Sequence, residues 1–473
     1  MDELLSKKNQ VAFTDELTFL LKGLINWKTD NARVHAGLQK DIYETSLLPQ
    51  EGEKLESLIR QMLEKLPQNM NFSSTHYMGF PDSGNSLAGL TAGIIEVFLQ
   101  QNLINSDACS PLASKIECDV LSWMRQLVGY NTDQVINDVC QLGGAVTTGG
   151  TMSNVYAVMA AAHKYPNKHI IILPDNIGHY SLSYAVKWLN LDVQIVYCKV
   201  QNFKLDLNDL EQLIKKYRQD IMLIGVYACD SMTSTCEDLK GVYQLVKRTK
   251  TDTWLHCDAC HGFVLNFTSR YSYLLDYLKY YDSCTMDPQK VLWLPYTMSI
   301  ILMKKPQDFA KLTRTNQLII DDEKSFGKTT PFIGSKAFNS LKLWFVLKNM
   351  GKERLGKLIE KRIENAQLFL KLVQNDSKLL AKNQEILFSV TFQYTKNLND
   401  LDEINTINRI IYKKMLKDGK YYLHGFDLKI ADQTYFVLRY NSGNLNLTKE
   451  TMVEVLQYVD KVGGDIYAGK CQY

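Results

Sequence analysis

Apolar residues change their spacing along this chain, and each change marks a structural boundary. Over the first 75 residues they recur at helical intervals, as in Phe19-Leu20-Leu21 with Leu24, and in Leu55, Leu58, Ile59, Met62 and Leu63. This predicts a helical arm over residues 1–75 that packs on the main body or on a partner subunit. From about Gly144 the rhythm becomes one of short β-rich runs separated by amphipathic helices. Strands are expected at Ile170–Leu173, Val193–Tyr197, Met222–Tyr227, Thr253–Cys257, Ser283–Thr285 and Met298–Met303. Helices are expected at Ser153–Lys164, Ser181–Leu189, Leu207–Tyr217 and Leu239–Lys247.

That alternation predicts a mainly parallel sheet covered on both faces by helices. Sites on such sheets lie at the carboxyl ends of the strands. The segment Thr313 to Gly334 is polar and aperiodic, and its length predicts a functional loop rather than a connector. Beyond it the pattern gives a long helix from Ala337 to Met350 and on towards Leu372, β segments at Ile386–Tyr394 and Tyr435–Tyr440, and a terminal helix at about Lys449–Lys461. The expected division is therefore an arm over 1–75, a large α/β domain over 76–335 and a small α+β domain over 336–473.

Composition narrows the class. The chain has 473 residues, 45% of them hydrophobic and 22% charged, as in an ordinary globular protein with more than one structural unit. A net charge of +3 is small for this length, so no nucleic-acid partner is expected. The charged start, Met-Asp-Glu-Leu-Leu-Ser-Lys-Lys, lacks the apolar stretch of a signal peptide. Ala88 to Leu99 is too short to span a membrane. A cytoplasmic protein without a membrane partner is the expectation.

The ten cysteines are scattered, several within expected strands, and read as reduced core thiols. Cys257-Asp258-Ala259-Cys260-His261 has the spacing of a covalent haem attachment, with His256 beside it. Successive residues of a buried strand point to opposite faces, which splits that ligand set. No metal or haem is expected.

The chemistry concentrates elsewhere. Lys290 lies in Asp-Pro-Gln-Lys, thirty-two positions after Asp258 in Trp-Leu-His-Cys-Asp-Ala-Cys-His. A strand-end aspartate followed by a loop lysine suits pyridoxal phosphate: the amine holds the cofactor as a Schiff base, and the carboxylate keeps the pyridine nitrogen protonated. An aspartate in an apolar strand is costly unless a cation meets it, and a pyridinium is one. Upstream, Thr-Gly-Gly-Thr-Met-Ser-Asn (148–154) is a glycine turn opening a helix, a ready site for a phosphate. Thr151 could equally serve as an ordinary helix N-cap.

On these residues the chain resembles the group II pyridoxal-phosphate-dependent amino acid decarboxylases, which include aromatic amino acid, glutamate, histidine and diaminobutyrate enzymes. The resemblance runs from about His76 to Trp344 and more weakly beyond. It adds Phe-Pro-Asp-Ser-Gly-Asn (80–85), Ser-Pro-Leu-Ala-Ser-Lys-Ile-Glu (110–117), Gly-His-Tyr-Ser (178–181) and Leu-Lys-Leu-Trp (341–344) to the segments above. Seven matches in the family's order make it specific.

The resemblance implies the aspartate-aminotransferase-like fold (fold type I) and decarboxylation of an L-amino acid to its amine and carbon dioxide. It also implies a homodimer with active sites at the subunit interface. It puts Lys290 at the Schiff base, Asp258 at the pyridine nitrogen, Ala259 beside the ring and His179 stacked on it. It puts Gly150 and Thr151 at the phosphate and Asp287 at a further cofactor contact, where its carboxylate is expected to bond loop amides. Phe80, Pro81 and Asp82 match the substrate-pocket loop, although Asp82 reads better as a cap on the turn before Ser83.

Three departures weigh on the reaction outcome. Gln289 stands where the family has histidine, and Cys229-Asp230-Ser231 replaces Gly-Thr-Thr, which is expected to bring Asp230 near the cofactor. Gly327, beside Phe326, stands where the family's loop carries a proton-donating tyrosine, and no tyrosine lies between Thr313 and Gly334. Two alternatives therefore accompany decarboxylation: an aldehyde synthase, or a carbon–carbon lyase of the phosphosphingolipid type. A non-catalytic binding protein is disfavoured by Lys290, Asp258 and His179 together.

Overall fold

The structure is a computed structural model and describes residues 4–36, 47–313, 323–332, 334–396 and 398–468. It divides into two compact units: Met1–Gly84 with Leu368–Lys382 and Thr391–Tyr473, and Asn85–Gln367 with Asn383–Val390.

The second unit is built on a seven-stranded sheet. Its strands are β1 (Gly144–Thr147), β2 (Ile170–Pro174), β3 (Gln194–Cys198), β4 (Ile221–Tyr227), β5 (Trp254–Asp258), β6 (Ser283–Met286) and β7 (Ser299–Met303), in the spatial order β1-β7-β6-β5-β4-β2-β3. From β6 to β3 all neighbours are parallel, while β7 runs antiparallel to both β1 and β6. The fold is the mainly parallel, helix-flanked sheet that the alternating pattern predicts.

β2, β4 and β5 are buried along their whole length, which is why they read as apolar runs without alternation. One face of the sheet packs Ile171, Leu173, Met222 and Trp254 against Val155 and Val158 of helix Gly150–Lys164 and Leu182 and Ala185 of helix Tyr180–Trp188. Each such side chain contributes about 1.5–3 kcal/mol on leaving water. The reversed strand β7 is tied in by Arg125, a fully buried guanidinium that donates to the carbonyls of Leu142, Met303, Lys304 and Asn131. The long helix Ser340–Gln374 is interrupted at Gly351, whose φ of 66° suits a residue without Cβ.

The first unit contains the helices Gln10–Thr29 and Leu55–Lys65, where Gly23 lets Leu63 approach closely. Its four-stranded sheet includes Leu379–Ala381, His424–Ile430 and Gln433–Asn441. The helix Leu401–Asp418 and the strand His424–Ile430 are elements that the apolar spacing did not reveal. Phe80 stacks on Tyr422 and meets His424 at a tilt, and Arg439 lies over its ring while donating to the Gly79 carbonyl. No helix among the described residues is long and apolar enough to cross a membrane.

Candidate active site

Four parallel strands deliver the chemistry to one edge of the sheet. β5 ends on Asp258, and β4 ends on Tyr227, which pairs with it in register. β6 runs into Asp287 and the short helix Pro288–Val291 that carries Lys290. His179 caps the helix that follows β2. A cavity of about 180 Å³ lies among Gly150, Thr151, Asn154, His179, Tyr227, Cys229, Ser231, Asp258, Cys260, His261, Asp287, Gln289 and Lys290.

Lys290 Nζ meets Asp287 Oδ2 at 2.8 Å. Burial works to lower the basicity of this amine, but Asp287, with Cys260 and Asp258 nearby, overrides it and holds the ammonium well above the ordinary lysine range. The expectation that Asp287 bonds loop amides is not met. Its side chain caps no helix amide, and Oδ1 is buried without a hydrogen-bond partner.

Asp258 accepts from Asn154 Nδ2 at 2.7 Å and from the Cys260 amide at 3.1 Å. Burial pushes this carboxyl up, yet those bonds and the neighbouring His179 and Lys290 hold it below the usual carboxylate range. It is therefore an anion in a nearly dry site, an arrangement stable only with donors or a cation against it.

Gly149 is the residue before helix Gly150–Lys164 and supplies no side-chain cap, so the first amides of the helix remain open to an anion. Thr151 lies within that helix and is not its cap. Gly150 could not be another residue without disturbance. A Cβ there would come within 2.7 Å and 2.8 Å of the Asp287 oxygens and 2.8 Å of Cys260 Sγ.

His179 Nδ1 faces Ser181 Oγ at 2.8 Å, and burial lowers its pKa from the ordinary histidine value. Ala259 is fully buried with its amide on the Thr285 carbonyl and does not line the cavity. Phe80, Pro81 and Asp82 belong to the first unit, where the Ser83 hydroxyl closes their turn on the Phe80 carbonyl.

The departures also have definite places. The Gln289 side-chain oxygen accepts from the Met298 amide. Asp230 turns away from the cavity: its carboxylate accepts from the amides of Met232, Thr233 and Thr235, so the expected approach to the cofactor is corrected. Gly327 sits in the turn Phe326–Thr329, where a Cβ would lie 2.5 Å from the Ile104 carbonyl oxygen. Residues 314–322 and 333 of the expected loop lie outside the described residues. Among the described residues no group of three His, Cys, Asp or Glu side chains could hold a metal, and the described cysteines are free thiols.

Asn154, Ser181, Tyr227 and His256 complete the site and carried no assignment from sequence. Asn154 and Ser181 lay inside the quoted motifs; the available signal was a polar residue within an otherwise apolar helical face.

The residues present fit pyridoxal phosphate. The open helix start suits its phosphate, the buried anion of Asp258 suits a protonated ring nitrogen, and Lys290 supplies the amine. The unpartnered Asp287 oxygen marks a site that is polar beyond its own needs. The chain is 22% identical to the aromatic-L-amino-acid decarboxylase of Bacillus atrophaeus, over 89% of this chain and 88% of that one. It is also 22% identical to the phenylacetaldehyde synthase of Petunia hybrida, over 79% of each. Its fold matches the TDC of Oryza sativa, solved with PLP and tryptamine, with a TM-score of 0.85 at 15% identity, covering 98% of this chain and 100% of that one. The pyridoxal-dependent decarboxylase conserved domain matches residues 41–395, and the chain belongs to that family, with pyridoxal phosphate as its cofactor.

Proposed function

We propose that the cavity at Lys290 is the active site, in which an L-amino acid is decarboxylated to its amine. The observation that carries this is the convergence of the Lys290–Asp287 ion pair, the ionised Asp258 and an uncapped helix start on one cavity. Bound pyridoxal phosphate supplies an electron sink for the pair left when carbon dioxide departs. Lys290 provides the attaching amine, and Asp287 holds it charged until it is needed. Asp258 keeps a proton at the ring nitrogen. The amides at Gly150 and Thr151 receive the phosphate, and His179 offers a flat ring and an N–H to the substrate side. Phe80, Pro81 and Asp82 remain candidates for substrate selection.

A homodimer is part of this reading. Helix Leu87–Leu99 leaves Leu87, Val97 and Phe98 exposed at 84%, 77% and 54%, an apolar face that a second subunit would cover. The scattered free thiols suit a reducing compartment such as the cytoplasm.

One observation favours a second outcome, the aldehyde. Gly327 packs on Ile104, leaving no room for a side chain there, and no tyrosine lies between Thr313 and Gly334. Both outcomes are tested by incubating holoenzyme with a panel of L-amino acids under air and under nitrogen. Carbon dioxide with amine under both gases is the expected result. Oxygen-dependent aldehyde and peroxide as main products would move the assignment to aldehyde synthase, and no turnover of any amino acid would overturn both.

A further inference from the structure

Behind the cavity runs a chain of buried hydrogen bonds whose direction can be read from its ends. At one end the Trp254 indole, which can only donate, gives its proton to Ser283 Oγ at 2.8 Å. Ser283 Oγ also meets His256 Nδ1 at 2.8 Å, and His256 Nε2 meets Asn154 Oδ1 at 3.1 Å. Asn154 Nδ2 reaches both Asp258 Oδ2 and Ser181 Oγ, each at 2.7 Å. Ser181 Oγ ends the chain on His179 Nδ1 at 2.8 Å. Asn154, Ser181, His256 and Ser283 are all buried.

The roles follow from elimination. The Asp258 carboxylate can only accept, so the amide nitrogen of Asn154, not its oxygen, faces it. Both N–H groups of Asn154 are then used, one on Asp258 and one on Ser181. Its oxygen therefore faces His256, and an oxygen only accepts, so His256 carries its proton on Nε2. His256 Nδ1 is left to accept the Ser283 hydroxyl proton. Ser181 Oγ, having accepted from Asn154, is free to donate its own proton to His179 Nδ1. The Ser181 backbone amide points at the same nitrogen from 3.3 Å, and an amide cannot accept. His179 Nδ1 is thus an acceptor from two directions.

We infer that Asn154 is a positioning residue: one amide proton clamps Asp258, and the other, through Ser181, fixes His179 as the tautomer protonated on Nε2. This rests on the reading that Asp258 and His179 flank the cofactor. Its consequence is specific. Burial lowers the pKa of His179, a residue lining the cavity, and with Nδ1 accepting, its other ring nitrogen bears a proton rather than a lone pair. His179 can donate a hydrogen bond there, to a substrate carboxylate, but cannot serve as a base at Nε2.

The test is nitrogen-15 spectroscopy on the full-length, deuterated protein labelled at its eight histidines, with His179 assigned by His179→Gln. The expected result for wild-type apoprotein at neutral pH is a single Nε2–H tautomer at His179. Ser181→Ala removes the hydroxyl and leaves Nδ1 only the longer amide bond at 3.3 Å, so a fraction of the Nδ1–H form should appear beside the Nε2–H tautomer while cofactor affinity stays within about threefold, because the Asn154–Asp258 bond survives. Asn154→Leu should mix them and also weaken cofactor binding by about tenfold or more, since a buried carboxylate loses a donor. A wild-type His179 protonated on Nδ1 or on both nitrogens overturns the inference, as does an unchanged tautomer in both variants. Should Asn154→Leu not fold, the wild-type spectrum and Ser181→Ala still decide. Failure of the holoenzyme to form would count against the reading of the site and leave the apoprotein tautomer to judge this inference.

Discussion

Lys290 Nζ and Asp287 Oδ2 form an ion pair at 2.8 Å, three residues apart on the turn that follows β6. Only a neutral amine attaches a carbonyl cofactor, so this pair sets the pH at which the cofactor is taken up. In Asp287→Asn the main source of the raised pKa disappears while burial still disfavours the ammonium. The rate of pyridoxal phosphate uptake by apoprotein, followed against pH, should have its midpoint about one unit or more lower than wild type. An unshifted profile would show that Asp287 does not control the amine.

Asp258→Asn should separate binding from catalysis. The amide's single oxygen can still accept from either Asn154 Nδ2 or the Cys260 amide, though not from both, and the side chain cannot hold a proton on a ring nitrogen. The variant is expected to retain bound cofactor and to lose roughly a hundredfold or more in kcat. Near-wild-type turnover with cofactor bound would remove Asp258 from the mechanism.

Gly150→Ala tests the close approach of the helix start. The added methyl would stand within 2.8 Å of the Asp287 oxygens and of Cys260 Sγ. Relieving such overpacking costs about 1–3 kcal/mol, so cofactor dissociation should rise by about 5- to 150-fold. Equilibrium dialysis of the cofactor measures it, and an unchanged affinity would mean that the turn simply gives way.

His256 gives a stability prediction. Burial lowers its pKa to about 4, against an ordinary 6.5, although Asp258 pulls the other way. Between these values the unfolded chain binds the proton and the folded one does not, so stability rises with pH across that window. The benefit of a neutral His256 is present in full above about 6.5 and is lost as pH falls towards 4, up to roughly 3 kcal/mol. His256→Gln does not titrate and can still donate to Asn154. Denaturation midpoints should show the wild type losing stability faster than this variant as pH falls, and parallel slopes would refute the assignment.

The sequence alone determined the alternation of strands and helices, because apolar periodicity is a property of neighbouring residues and survives without any knowledge of the fold. It placed Asp258 at a strand end, Lys290 on the turn after the next strand, and the glycine turn ahead of a helix, since each is a local pattern with a local physical meaning. It did not reveal the helix Leu401–Asp418, although Ile404, Ile407, Ile411 and Met415 recur there at helical spacing, or the strand His424–Ile430, in which only Leu428 is fully buried.

Only the tertiary structure decided where side chains point and whom they meet. Asp287 turned to Lys290 instead of loop amides, and Asp230 folded into its own turn. The reversal of β7 between β1 and β6 depends on pairings made far along the chain. Asn154 and Asp258 are 104 residues apart, so no local spacing could pair them. A polar residue on a buried helical face announces that it needs partners, but which partners it finds is settled when the sheet brings distant strands within a hydrogen bond of it.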